Sequence, residues 1–284
     1  MFVVAGVTGH TGRAAADRLL ELGRPVRVIV RKPEHEHEWR AKGAEVALAS
    51  LDDVTATTGA LRGASGAYLL VPPKYAAARL VEAQKVTADA IAGAVKASGV
   101  EHVVFLSSQG AQLESGTGPV VTLHYAEERL KATGVALTIL RAPYFFENWA
   151  PVLPMVREQG VLPSFLPADL PMISAAARDI GRIGADALLQ PHAGVRIVEI
   201  EGPAPVTPRD VARALSTRLG REVNVVEAPL DAVVPTFTAL GFSEDAASKF
   251  REMYEAFLAG RMDPIGPPAD RVRGTTPVAD ALLG

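Results

Sequence analysis

Three glycines fall within seven residues near the start of the chain, Gly6-Val7-Thr8-Gly9-His10-Thr11-Gly12, behind a short apolar run and ahead of an amphipathic one. A strand that turns into a helix at this spacing is suited to hold a pyrophosphate. Gly6 permits the tight turn, Gly9 lets the backbone approach phosphate oxygens with no Cβ between, and Gly12 lets the helix lie close on the strand. The first helical turn then offers unpaired N–H donors and the positive end of a dipole. Thr8, His10 and Thr11 belong to the same turn, and the His10 and Thr11 side chains either reach the phosphates or cap the helix. No Lys-Ser or Lys-Thr pair follows Gly12, so the P-loop alternative falls away and a dinucleotide is expected.

The end of the second strand decides which dinucleotide. An acidic residue there would take both ribose hydroxyls of NAD(H) and repel a 2′-phosphate. The chain has Arg31 and Lys32 instead, and a guanidinium offers phosphate a planar fork and stacks on adenine. NADP(H) is therefore expected, with NAD(H) left open by the nearby Glu34 and Glu36; the plainer alternative is two solvated charges. Val71-Pro72-Pro73 ends a fourth predicted strand, at the carboxyl edge where open α/β sheets bind ligands. Lys74 beside it either neutralises cofactor phosphate or is simply solvated. His35-Glu36-His37-Glu38 is not HExxH and reads as a solvated helix face beside Trp39, so no metal is expected.

The elements that must position these residues alternate along the first half. Strands are predicted at Phe2 to Ala5, Val26 to Val30, Glu45 to Leu48, Ala67 to Val71, His102 to Ser107 and Ala136 to Leu140. Helices are predicted at His10 to Leu22, Asp53 to Leu61, Ala76 to Ser98 and Tyr125 to Thr133, with Gly23, Gly63, Gly99 and Gly134 just past their ends. From about Tyr144 a Pro-containing insertion is expected above the sheet. Helix returns at Asp179 to Leu189, Pro208 to Leu219, Leu230 to Leu240 and Glu244 to Ala259, with late strands at Val195 to Glu201 and Val223 to Glu227. A Pro/Gly-rich stretch from Asp263 to Pro268 begins a tail whose last residues, Val278 to Leu283, are expected to dock as a short apolar turn. The fold class is α/β: a Rossmann doubly wound parallel sheet in residues 1–150, with a smaller, partly interleaved C-terminal α/β lobe on the substrate side in 151–284.

Composition narrows the partners. The 284 residues are 48% hydrophobic and 21% charged, enough to fill a large core. A net charge of −3 gives no electrostatic case for nucleic acid or an anionic membrane. There is no cysteine, hence no disulfide and no thiolate nucleophile. With neither a signal-peptide pattern nor a bilayer-length apolar run, a soluble cytoplasmic protein is expected.

Read together, GVTGHTG, VIVRKPE, GAEVALASLDD, FLSSQGA, LTILRAPYFFEN and ARDIGRIGADALL resemble the NmrA-like group of atypical short-chain dehydrogenases/reductases over nearly the whole chain. The resemblance implies NADPH-dependent reduction of quinones, azo compounds or dyes, or else a catalytically silent NADP(H) sensor. The first reading has hydride passing to a planar electrophilic small molecule; the second has a protein partner or homodimer contact that depends on the cofactor. Where the group commonly has Gly-Asp after the third strand, Ala49 and Ser50 stand, leaving a Ser50 hydroxyl and a Leu51 wall for adenine. Asp53 matches the group's second acid and reads as a helix N-cap, as does Asp179. Ala142-Pro143-Tyr144 corresponds to the segment passing beside the nicotinamide. None of the five tyrosines is followed four residues on by lysine, so the usual tyrosine proton donor is missing, which disfavours nucleotide-sugar isomerase chemistry. The catalytic candidates carried over are Ser107, which also faces the cofactor position, and His124, at the place that holds lysine or histidine. Each has a plainer alternative: Ser107 satisfying strand-end backbone, and His124 as a helix-start residue with no chemical role.

Overall fold

The computed structural model describes residues 1–264 and 271–284. β-Branched runs take the extended form because branched Cβ atoms pack well on a pleated surface. In chain order these are β1 (Phe2–Val4), α1 (His10–Glu21), β2 (Val26–Val30), α2 (Glu36–Ala41), β3 (Glu45–Leu48), α3 (Val54–Leu61), β4 (Gly66–Leu70), α4 (Leu80–Ser98), β5 (His102–Ser108), α5 (Val121–Lys131) and β6 (Ala136–Ala142). All six strands read from the sequence are present, with ends moved by one or two residues. Two helix starts move further. α4 begins at Leu80 instead of Ala76, where the Leu80 N–H donates to Asp245 Oδ2 at 2.8 Å. α5 begins four residues ahead of Tyr125, led in by a 3-10 turn at Gly118–Val120.

The second half is more regular than its prolines suggest. It holds β7 (Tyr144–Phe145), a 3-10 helix at Phe146–Val152, α6 (Leu153–Gln159), β8 (Val161–Ser164), β9 (Ser174–Ala175), α7 (Ala177–Leu188), β10 (Val195–Glu201), α8 (Pro208–Leu219), β11 (Asn224–Glu227), α9 (Val233–Ala239), α10 (Glu244–Leu258), β12 (Arg271–Arg273) and α11 (Val278–Leu283). The expected tail from Asp263 to Pro268 falls largely outside the described residues. Its final residues form α11 instead of a turn. Asp53 does cap α3, accepting from the Ala56 N–H at 3.0 Å. Asp179 does not cap its helix: it is the third residue of α7 and accepts from Thr275 N, Thr276 N and Thr276 Oγ1, each at 2.8 Å. It ties the segment after β12 to α7.

The strands form one parallel eight-stranded sheet in the order β12-β10-β6-β5-β4-β1-β2-β3, with β7–β9 and β8–β11 as separate two-stranded pairs. α3, α4 and α5 pack on one face through Leu61, Ile91, Val95 and Leu130. α1 and α7 cover the other face through Ala15, Leu19, Ile180 and Leu188. A Cβ on Gly181 would stand 2.2 Å from Thr11 O, so the glycine lets α7 lie against α1. A third core, off the sheet, joins Trp149, Leu162, Leu215 and Val233 to α11. The chain leaves β1 toward β2 and β3, then returns to β4 on the other side of β1. Their carboxyl ends therefore flank the crevice where strand order reverses.

Candidate functional site

The glycine turn opens onto that crevice. Gly6 has φ +73°, in the left-handed region that favours glycine, and a Cβ there would meet Leu70 Cδ2 at 2.6 Å. A Cβ on Gly12 would lie 2.4 Å from the Ala5 carbonyl oxygen, so α1 could not seat on β1 with any other residue. Gly9 is the N-cap of α1; its N–H donates to Gly6 O at 2.9 Å, and no side chain caps the helix. No acidic residue stands in the first turn of α1. The turn thus keeps donors and a positive dipole end for an outside anion. Thr8, Gly9, His10 and Thr11 all line the cavity above it, while Gly12 sits beneath as the packing residue.

Toward β2 and β3 the crevice becomes a cavity of about 250 Å³ lined by Arg31, Lys32, Ser50, Leu51 and Lys74, together with His35 and Asp52. The Lys74 ammonium donates to Asp52 Oδ1 at 2.8 Å, and Thr87 Oγ1 donates to the same oxygen. Burial opposes the Asp52 charge, yet the bonds from Lys74 and Thr87 and the charges of Lys74 and Arg31 hold its carboxyl below the usual range. Sequence reasoning passed over Asp52, whose place beside Leu51 was the available signal. Lys32 lies 3.4 Å from Glu34, and Glu36 pairs with Arg40 at 2.9 Å. Neither glutamate lines the cavity, so the acids that kept NAD(H) open turn elsewhere.

Across β4, β5 and β6 lies a second cavity of about 620 Å³ that shares Gly6, Thr8, Arg31, Leu70, Pro72 and Pro73 with the first. Val71, Pro72, Ser107, Ala142, Pro143 and Tyr144 line it as strand ends. The Ser107 hydroxyl donates to Glu127 Oε1 at 2.6 Å. Arg141 holds that carboxylate with Nε at 3.1 Å and Nη2 at 2.8 Å, and both partners are buried. This trio went unnoticed in the sequence because its members lie on β5, α5 and β6. His124 is not on the cavity wall, although Thr122 and Leu123 are. Its Nδ1 is 2.9 Å from the Ala111 carbonyl oxygen; a carbonyl only accepts, so that nitrogen carries a proton. The early start of α5 turns the ring toward the loop after β5. Tyr144 is half-buried, and desolvation with Tyr254 alongside keeps its phenol protonated well above the ordinary value.

The far wall comes from residues singled out by nothing in the sequence. Phe250, Met253 and Phe257 of α10, with Tyr75 and Met262, close the cavity. Tyr75 stacks on Phe242 at 4.4 Å and meets Phe250 edge-on at 5.4 Å. The spacing of the three α10 residues is one helical stripe, visible in the sequence only as amphipathicity. Among the described residues no group of His, Asp or Glu is placed to hold a metal, and no helix is long and apolar enough to cross a membrane.

Comparison with known proteins gives this geometry a family. The chain is 27% identical over 270 residues to an NAD(P)H azoreductase of Xenophilus azovorans, covering 93% of this chain and 91% of that protein. It is 26% identical over 230 residues to quinone oxidoreductase 2 of Escherichia coli (strain K12), covering 78% and 76%. The Citrobacter sp. triphenylmethane reductase complexed with NADP(H) superposes with a TM-score of 0.81 at 18% identity, over 99% of this chain and 98% of that one. The family model described as the NmrA-like family matches residues 1–272, and the chain belongs to that family.

Proposed function

We propose that the protein is an NADPH-dependent oxidoreductase that reduces a planar electrophilic small molecule, such as a quinone or azo compound. The observation that carries this reading is the continuity of the two cavities across the β1/β4 crevice: a phosphate-binding turn and cationic rim at one end, an aromatic chamber at the other. The named activities of the azoreductase and quinone oxidoreductase relatives support it. The α1 N-terminus would receive the pyrophosphate, Arg31 and Lys32 the 2′-phosphate, and Ser50 and Leu51 the adenosine.

When bound, NADPH supplies the hydride. The chain's own part is placement: Ala142, Pro143 and Tyr144 back the nicotinamide position, and the α10 wall holds the acceptor flat against it. A quinone that takes one hydride and one proton becomes the hydroquinone. No tyrosine–lysine pair and no cavity-facing histidine on α5 is there to give that proton. Ser107 has its own proton engaged by Glu127, so solvent supplies the proton and Ser107 positions. Steady-state NADPH oxidation against a panel of quinones and azo dyes tests the reading. Turnover above the uncatalysed rate is expected. Tight NADPH binding with no turnover across the panel would overturn it in favour of a cofactor-dependent binding protein.

A further inference from the structure

We propose that the acceptor end of the large cavity selects an uncharged, apolar ring and rejects its anionic analogue, with Phe250, Met253 and Phe257 of α10 as the specificity-determining residues. The proposal rests on the reductase reading above and adds a charge rule to it.

The argument begins with what the wall lacks. Among the described lining residues the only permanent cation is Arg31, at the end of β2, where the cavity joins the adenosine side; His10 stands at the start of α1. Both belong to the dinucleotide end. Everything polar farther in is a neutral amide, hydroxyl or phenol, Gln84, Ser107, Thr122, Tyr144 and Asn148 among them. The cations of α10 are already matched on its own surface, Lys249 with Glu252 at 2.7 Å and Arg251 with Glu255 at 3.1 Å, and neither lines the cavity. By sequence, residues 265–270 contain an aspartate and no lysine, arginine or histidine. A sulfonate carried against α10 would give up part of its water to an apolar wall and find no opposite charge among the described lining residues there, which burial without a partner makes costly. An uncharged ring in the same place gains apolar burial on Phe250, Met253 and Phe257 and ring contacts at their edges.

The wall is also fixed in place. Asp245, in the first turn of α10, accepts from the Leu80 N–H at 2.8 Å, and the Ser243 N–H donates to Tyr75 O at 2.8 Å. The Tyr75–Phe242 stack closes the same seam, and Phe237 of α9 lies 5.0 Å from Phe250 behind it. A wall braced on two sides does not rearrange cheaply to bring a distant cation to the ligand.

Two matched pairs of probes test this. For turnover, the pair is 1,4-naphthoquinone and its benzo-ring sulfonate, at fixed ionic strength. The expected result is a kcat/KM at least about 30-fold lower for the sulfonate, with most of the loss in KM. For binding without turnover, the pair is N-phenyl-1-naphthylamine and its 8-sulfonate, followed by their fluorescence on burial in the NADPH-loaded protein. The neutral amine should bind and the sulfonate should not. Met253→Lys should narrow both preferences by at least about tenfold, and Met253→Leu should leave them as they are. Use of both quinones within about threefold of each other, or equal binding of both naphthylamines, would overturn the proposal. If neither quinone turns over while the neutral amine alone binds, the charge rule stands and the reductase reading falls.

Discussion

At the scale of single residues, the proposed recognition of a 2′-phosphate rests most heavily on Arg31. Lys74 is held by Asp52 and Lys32 leans toward Glu34, whereas the Arg31 guanidinium stands at the junction of the two cavities, which is why the proposal assigns it the 2′-phosphate. Arg31→Ala should weaken NADPH at least about tenfold and leave NADH nearly unchanged, measured by titration of cofactor fluorescence. An unchanged preference would remove the case for NADP(H). Ser107 shows how a residue can be found by sequence and its role still be decided elsewhere. Its position at the end of β5 follows from the FLSSQGA run, but its hydroxyl donates to Glu127, a partner 20 residues away on α5 that Arg141 of β6 holds in place. His124 is the converse case. The residue type suits proton transfer, but its Nδ1 bonds the Ala111 carbonyl and the ring does not line the cavity.

At the scale of elements, two sets of contacts assemble the chamber. α1 lies on the sheet because Gly12 has no Cβ to strike Ala5 O, and α7 lies on α1 because Gly181 has none to strike Thr11 O. On the opposite side, α10 is fastened to the start of α4 by Asp245 and to the loop after β4 through Ser243 N and Tyr75 O. Asp245→Ala removes a charged acceptor from the first N–H of α4. It should cost about 1 kcal/mol of stability by denaturant titration. The same variant should raise the KM for the acceptor without changing the NADPH dissociation constant, because Leu80, Ser243 and Asp245 line neither cavity and the seam they form backs α10. A rise in both, in step, would mean that α10 braces the whole cleft and not the acceptor end alone.

At the scale of the whole molecule, the amino end of the sheet, opposite the cavities, carries a titrating group remote from the chemistry. His102 opens β5 and is buried; its Nε2 lies 3.0 Å from Thr138 Oγ1, which is 2.8 Å from His192 Nε2. Burial, with His192 alongside, lowers its pKa from 6.5 to about 4. The unfolded chain therefore takes up this proton first as pH falls. The stability that the neutral ring contributes is complete above pH 6.5 and is lost as pH drops toward 4, to a total of about 3 kcal/mol. An NMR titration of the imidazole C2 proton should find His102 neutral down to about pH 4, and denaturant midpoints should fall across that window. An ordinary midpoint near 6.5 would contradict the burial argument. The eight-stranded sheet itself spans both halves of the chain, since β10 and β12 extend the edge that β6 begins.

The sequence by itself determined β1 to β6, β10 and β11, most of the helices, the strand-to-helix glycine turn and the charge at the end of β2, because each is set by residues within a few positions of one another. Backbone preference, helix capping and apolar period are local quantities, and a glycine turn carries its meaning in seven residues. Tertiary structure decided what no local pattern holds: that Pro-containing residues 146–164 fold into a 3-10 helix, α6 and β8, that Asp179 fastens a segment nearly a hundred residues away, and that Ser107 answers to Glu127 and Arg141. It also decided the acceptor wall. Phe250, Met253 and Phe257 read as an ordinary buried stripe until α10 crosses the carboxyl ends of the strands. Whether an apolar side chain fills a core or faces a cavity depends on what stands opposite it, and that is fixed only when distant elements meet.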